Sequence, residues 1–386
     1  MTTRPDYTTA RREAGFHWSV DSAQGALREI TGTPIREFNL NPEACIEAYR
    51  RGRPLIRDMF GEDVGLPGLG TPAVSYGHVN CLGSELLFPE GGEVAHTHIY
   101  GSLEEGLRAL AEPVDFGTAG RAPFFLDFRA HMQRAFPGES VHFSFGSEGP
   151  ITSAYELRGE GFFTDVLDDP PLARRFLRAV VDSVLDFHRW TCSLEGAEPI
   201  SPHGAGLCDD LSSLIPPRLW RDFVVASWGQ YFDGMTTGSR YAHVENLTRD
   251  HLPYLEEAGL AHYDPSISPK LTPRLVAEHC RVPFLWRLES FHCREMSVPE
   301  VEDFVYQAVA DGANAVTLSV AETMCNPERA TQVQAFIRAG KEAKRLFDEG
   351  VSRAEIGERV SPEGRQKLWE CWCGYAGPKS SRGGHR

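Results

Sequence analysis

Two short stretches hold side chains suited to gripping a metal ion. The first is His243-Val244-Glu245. The second, about eighty residues downstream, holds Glu322 and Cys325. Each stretch falls just past a run that reads as a buried strand. Imidazole, carboxylate and thiolate are all competent zinc ligands, and three of them with one open position make a catalytic site. Oxygen donors harden such a site and admit iron or manganese as well. An ion there lowers the pKa of a bound thiol or water. The plain structural alternatives are a hydrogen-bonded histidine, a Glu245 that caps the next helix, and a Cys325 that packs as a small hydrophobe.

Other polar residues stand at similar places. His203 and the pair Asp209-Asp210 accompany the first strand of the second half, and Asp264 and Glu289 end later ones. Adjacent carboxylates can split their pKa values and serve as acid and base. On that reading Asp210 and Asp264 are catalytic, while His203, Asp209 and Glu289 contact substrate. The competing reading makes Asp209 and Asp210 loop or capping residues ahead of Pro216. His96-Thr97-His98 would place two imidazoles on one strand face.

These residues need a scaffold that gathers distant strand ends. From about residue 198 strand and helix signals alternate: strand Pro199–Leu207, helix Leu214–Asp233, strand Ser239–Val244, a helix capped by Thr248, strand Leu260–Tyr263, a helix opening at Thr272-Pro273, strand Val282–Leu288, a helix capped by Ser297, strand Ala315–Val320 and a long helix Glu328–Phe347. Such alternation means a parallel sheet, and this many consecutive units fit a barrel better than an open sheet. Sites in barrels form where strands end on the C-terminal rim. Earlier, Leu172–Trp190 reads as a strong amphipathic helix and Leu103–Leu110 as a weaker one. The expected organisation is a helical N-terminal extension over 1–60, a barrel over 61–350 and a partly disordered tail over 351–386.

Composition narrows the function. The formal charge of −15 argues against nucleic-acid or anionic-membrane surfaces. No run approaches the ~18 apolar residues of a membrane span, and residues 1–15 lack a signal-peptide core. Nine cysteines without an export signal suggest reduced thiols and a cytoplasmic location. The Cys371-Trp372-Cys373 pair reads as two ordinary thiols.

Several segments together resemble the uroporphyrinogen decarboxylase superfamily. Gly149-Pro150-Ile151-Thr152-Ser153-Ala154-Tyr155 is similar to its Gly-Pro-x-Thr strand and loop. Asp209-Asp210 leading to Pro216-Pro217 is similar to its Asp-Asp stretch. Gly312–Ser319 followed by Asn326-Pro327 is similar to its last strand and closing helix. Gly83-Ser84-Glu85 with Ser102–Glu105 resembles its early hairpin and first helix. The resemblance covers roughly residues 60–347 and implies an α/β fold, a (β/α)8 TIM barrel. It also implies that Tyr155 contacts substrate. The arginine-rich N-terminal motif of the haem-pathway decarboxylase is not found here, and bidentate arginines are the natural clamp for several carboxylates. The methyltransferase branch carries His-x-Cys and a distal Cys on zinc, whereas this chain carries His243-x-Glu245.

The resemblance therefore implies a metal-dependent methyltransferase acting on a thiol or corrinoid. Its metal, zinc or iron, would sit on His243, Glu245 and Cys325, with Glu322 competing as distal ligand. Its partners would be a small-molecule substrate and a corrinoid protein, and a homodimer is compatible with it. Alternatives from other classes are a metal-free carboxy-lyase using Asp209, Asp210 and Tyr155, a metal site repurposed for other chemistry, and a non-enzymatic binding protein on the same barrel.

Overall fold

In the second half of the chain short strands of three to six residues alternate with helices opened by proline and by serine, threonine or asparagine caps. The computed structural model describes residues 5–266 and 268–371. Its strands are β1 (His17–Ser22), β2 (Leu86–Leu87), β3 (Ala95–His96), β4 (Gly204–Cys208), β5 (Ser239–His243), β6 (His262–Asp264), β7 (Leu285–Leu288) and β8 (Ala315–Val320). β4, β5 and β6 form one parallel sheet in that order, and β1, β8 and β7 form a second. β2 and β3 make a small antiparallel pair. The fold is mixed α/β with parallel sheets.

Isolated parallel bridges extend both sheets. Tyr263 pairs with Phe284, carrying β6 toward β7. Gly65 pairs with Asp21 of β1, and Gly70 and Val74 pair with His142 and Phe145. The Gly149 N–H donates to the Cys208 carbonyl at 2.6 Å. A Cβ at Gly149 would fall 2.4 Å from Leu207 Cδ1 and 2.6 Å from Asp209 Cβ, so only glycine permits this approach.

The helices bury the faces that their spacing anticipates. Pro170–Glu195 buries Phe176, Val180, Val181, Val184 and Phe187. Each such side chain contributes about 1.5–3 kcal/mol of burial. Thr272 Oγ accepts from the Leu275 N–H, and the Ser297–Glu300 capping box opens Val298–Ala310. Pro327–Asp348 is the closing long helix, capped by Asn326. Among the described residues no helix is long and apolar enough to cross a membrane.

Several expectations need correction. Residues 17–22, expected inside a helical extension, form β1 and pair with β8 along its whole length. Only Trp18 and Val20 carry its apolar alternation, too little for a periodicity signal. The strand expected from Pro199 starts at Gly204, because Ser201 Oγ accepts from the His203 and Gly204 N–H groups and turns the chain. The strand expected from Val282 shortens to Leu285–Leu288, after Pro283, which has no N–H for a ladder. Gly149–Tyr155, expected as strand and loop, opens the helix Pro150–Arg158 with proline at its first position. Helices Arg353–Gly357 and Pro362–Cys371 occupy the start of the expected tail. Its remainder, with Cys373, lies outside the described residues.

Candidate metal centre

Parallel strands end together, so their last residues share one rim. In register, Cys208 of β4 pairs with His243 of β5, which pairs with Asp264 of β6. Asp210 follows β4 by two residues, Glu245 follows β5 by two, and Arg287 and Glu289 flank the end of β7. One strip of the rim therefore collects four acids, an imidazole and a guanidinium from four strands.

Asp210, His243 and Glu245 form the candidate centre. One ligand atom from each lies within 4.8 Å of the other two. His243 Nε2 is 3.8 Å from Asp210 Oδ1 and 4.0 Å from Glu245 Oε1. Donors of a tetrahedral site with ~2.1 Å bonds stand roughly 3.4 Å apart, so a contraction of about an ångström would close this set on an ion. All three residues are partly buried. One nitrogen and two oxygen donors suit zinc or a harder divalent ion.

The surroundings fix these donors. His243 Nδ1 donates to Asp264 Oδ2 at 2.8 Å, which leaves Nε2 as the ligand atom. Arg287 pairs with the same Asp264 oxygen, and the Ser266 N–H donates to Oδ1 at 2.9 Å. Burial works against charge on both His243 and Asp264. Their mutual hydrogen bond outweighs it, with Asp210 also acting on His243 and Arg287 on Asp264, so His243 is raised and Asp264 lowered. Glu245 Oε1 accepts from Ser266 Oγ at 2.8 Å, and the Glu245 N–H donates to Asp210 Oδ1 at 3.0 Å. Asn246 and Ser266 both hold positive φ, 59° and 39°. Strained non-glycine backbone beside a ligand set is typical of pre-organised sites.

Two buried carboxyl groups and one half-buried one back this strip. Asp209 is fully buried, and its oxygens accept from the Thr152 N–H at 2.8 Å and Trp228 Nε1 at 2.6 Å. Burial still pushes it up to about 6. Glu148, one residue before the glycine that packs on β4, is raised by burial to about 7, with Asp210 and Asp209 adding and Ser75 and His243 opposing. Glu156 is 2 % exposed and is raised well above the usual range by burial and then by Glu148 and Asp209. Sequence reasoning missed Glu148, Glu156 and Arg287. Glu148 precedes the Gly-Pro pair and Arg287 lies one residue before a strand end, signals that were available; Glu156 sits mid-helix and gave none.

The other expected site residues lie as follows. Asp264 and Glu289 are on the rim, Glu289 beside Arg287 Nε at 3.4 Å and raised by burial. His203 precedes β4, roughly 16 Å along the strand from Cys208 at about 3.3 Å per residue, so it stands at the opposite end from the centre. Tyr155 stacks edge-on with His98, ring centroids 5.0 Å apart. Neither Glu322 nor Cys325 belongs to the ligand group. Glu322 pairs with Arg28, the Cys325 N–H donates to Glu29 at 3.1 Å, and its thiol points to the Ala26 carbonyl at 3.6 Å. The loop after β8 turns toward the helix Gln24–Thr31, where these bonds hold it. His96 and His98 also stand apart from the ligand group, their rings 5.3 Å from one another.

No protein-family model and no curated protein matches this chain. Among solved structures, a methyltransferase from Methanosarcina mazei is similar with a TM-score of 0.61 and 17% identity, covering 85% of this chain and 94% of that one. At that identity the likeness shows the fold alone.

Proposed function

We propose that this protein is a metal-dependent group-transfer enzyme that moves a methyl group to or from a thiol or a corrinoid. The ion, zinc foremost and iron as the alternative, would be held by Asp210, His243 and Glu245. The reading takes the two parallel sheets and their bridges as the wall of one (β/α)8 barrel of the uroporphyrinogen decarboxylase superfamily. The observation that carries it is the meeting of three ligand atoms within 4.8 Å at the C-terminal ends of adjacent strands. The structural likeness to a methyltransferase supports it at the level of fold.

When bound, the metal would act as a Lewis acid that lowers the pKa of a coordinated thiol. The chain's own residues do the rest. Asp264 holds the Nδ1 proton of His243 and aims Nε2. Ser266 and the Glu245 N–H orient the two carboxylates. Glu148, poised at about 7, can take up the thiol proton at neutral pH. On this reading Asp210 and Asp264, which contact His243, and Tyr155 would act on the substrate, with Glu289 and Arg287 at the neighbouring strand end. A corrinoid would reach the rim on a partner protein. Glu148 and Glu156 also favour a second reading, a metal-free lyase in which a buried carboxylic acid delivers a proton.

Metal analysis of the purified protein tests the proposal. One equivalent of divalent metal is expected, lost in His243→Ala and Asp210→Asn and kept in Cys325→Ser and Glu322→Gln. Metal-stripped protein that transfers methyl groups at full rate would end the first reading; a lyase reaction indifferent to chelators would install the second.

A further inference from the structure

Two strand edges face one another across a cleft without pairing. On β4 the odd-numbered residues serve β5: the Ser239 N–H donates to the His203 carbonyl, and the Asp209 N–H donates to the His243 carbonyl. The main-chain groups of Gly204 and Gly206 therefore point away from β5. From that side Tyr231 Oη donates to the Gly206 carbonyl at 3.1 Å. In the segment 142–146 the even-numbered residues serve the other neighbour. The His142 N–H donates to the Leu69 carbonyl, and the His142 and Ser144 carbonyls accept from the Thr71 and Val74 N–H groups. The main-chain groups of Phe143 and Phe145 therefore point the opposite way. The two edges meet once, where the Gly149 N–H reaches the Cys208 carbonyl. On the N-terminal side of that bond lies a cleft of about 350 Å³ that Phe143, Phe145, Gly204, Gly206 and Tyr231 line together.

Among the described residues no hydrogen bond reaches the N–H or carbonyl of Phe143 or Phe145, the Gly204 carbonyl or the Gly206 N–H. Phe145 is nonetheless fully buried. Buried main-chain groups are almost always paired, so those left over call for a partner from outside the chain. The strands also dictate its shape. Main-chain donors and acceptors lie in the plane of a sheet, while side chains stand above and below it. A molecule that satisfies both edges must carry donors and acceptors around its rim and apolar surface on its two faces. The rings of Phe143, Phe145 and Tyr231 suit those faces. Fixed charge is scarce here: His188 gives its Nε2 proton to the Pro199 carbonyl at 2.8 Å, and Glu198 is exposed. The volume lies in the range of small-molecule sites.

We infer that this cleft binds an uncharged, flat nitrogen heterocycle of nucleobase size. The ring is held edgewise between β4 and the segment 142–146, with its N–H and carbonyl groups on the two peptide edges. The site goes beyond the proposed function and does not depend on a metal.

The test is calorimetric titration of the full-length protein with hypoxanthine, a flat bicycle with donors and acceptors around its rim. The comparison compound is 1-methylindazole, a bicycle of the same size without a donor. Hypoxanthine should bind saturably and about tenfold or more tighter than the indazole, the worth of one or two neutral hydrogen bonds. Gly206→Pro removes the N–H on the cleft side and leaves the β4–β5 ladder, which runs through the odd-numbered residues. It should weaken hypoxanthine about fivefold while keeping a cooperative melting transition. Should it not fold, Phe143→Ala, expected to weaken hypoxanthine by about the same factor, decides in its place. No saturation by hypoxanthine, equal affinity for the two compounds, or undiminished affinity in the folded variant overturns the inference. So does binding that a chelator or His243→Ala abolishes, because the heterocycle would then sit on the metal. Metal content measured on the same samples reports separately on the metal reading.

Discussion

Replacing Glu148 by Gln should change how stability depends on pH. Burial first, then the charges of Asp210 and Asp209, raise Glu148 from 4.5 to about 7, with Ser75 and His243 opposing. At about 1.4 kcal/mol per pH unit this displacement amounts to about 3 kcal/mol. The native state keeps a proton that the unfolded chain releases. The stabilisation is therefore fully present below about pH 4.5 and is lost as pH rises through about 7. Glutamine carries no titrating proton, so the variant lacks this slope. The stability of Glu148→Gln relative to the native protein should rise by about 3 kcal/mol between about pH 4.5 and 8. Urea unfolding of metal-stripped protein, followed by the fluorescence of its seven tryptophans, measures this directly. Parallel stability curves for the two proteins would refute the placement of Glu148 in a dry, acidic setting.

Three further outcomes follow from the same geometry. Asp264→Asn removes the carboxylate that orients His243 and should weaken metal binding about 10–100-fold in a chelator competition. Metal affinity should fall as pH drops through the raised value of His243, since a proton on Nε2 competes with the ion; a titration series over pH reads this, and Asp264→Asn should move the midpoint downward. Asp209→Ala leaves the Trp228 and Thr152 N–H groups buried without acceptors and should destabilise the fold by about 3 kcal/mol in denaturant unfolding.

The second half of the chain was legible because its signals are local. Thr272, Ser297 and Asn326 cap helices where their side chains meet nearby N–H groups, and β8 alternates buried and half-buried residues over its whole length. β1 was not legible, since what makes His17–Ser22 a strand is pairing with residues some three hundred positions away. Within the site, His243 and Glu245 stood out through their position after a strand. Asp210 was read as an acid-base residue; its approach to His243 depends on the register of β4 against β5, which no local pattern encodes. Cys325 and Glu322 misled because counting residues past β8 places them on the rim, whereas Glu29 and Arg28 hold them against another helix. Glu156 was invisible because a carboxylate inside an amphipathic helix ordinarily marks the solvent face.

The central claim is tested most directly by anomalous diffraction from crystals grown with zinc. The account predicts one ordered ion about 2.0–2.2 Å from His243 Nε2 and from an oxygen each of Asp210 and Glu245. An ion bound through Cys325 without Asp210, or full zinc loading with no density at His243, would contradict it.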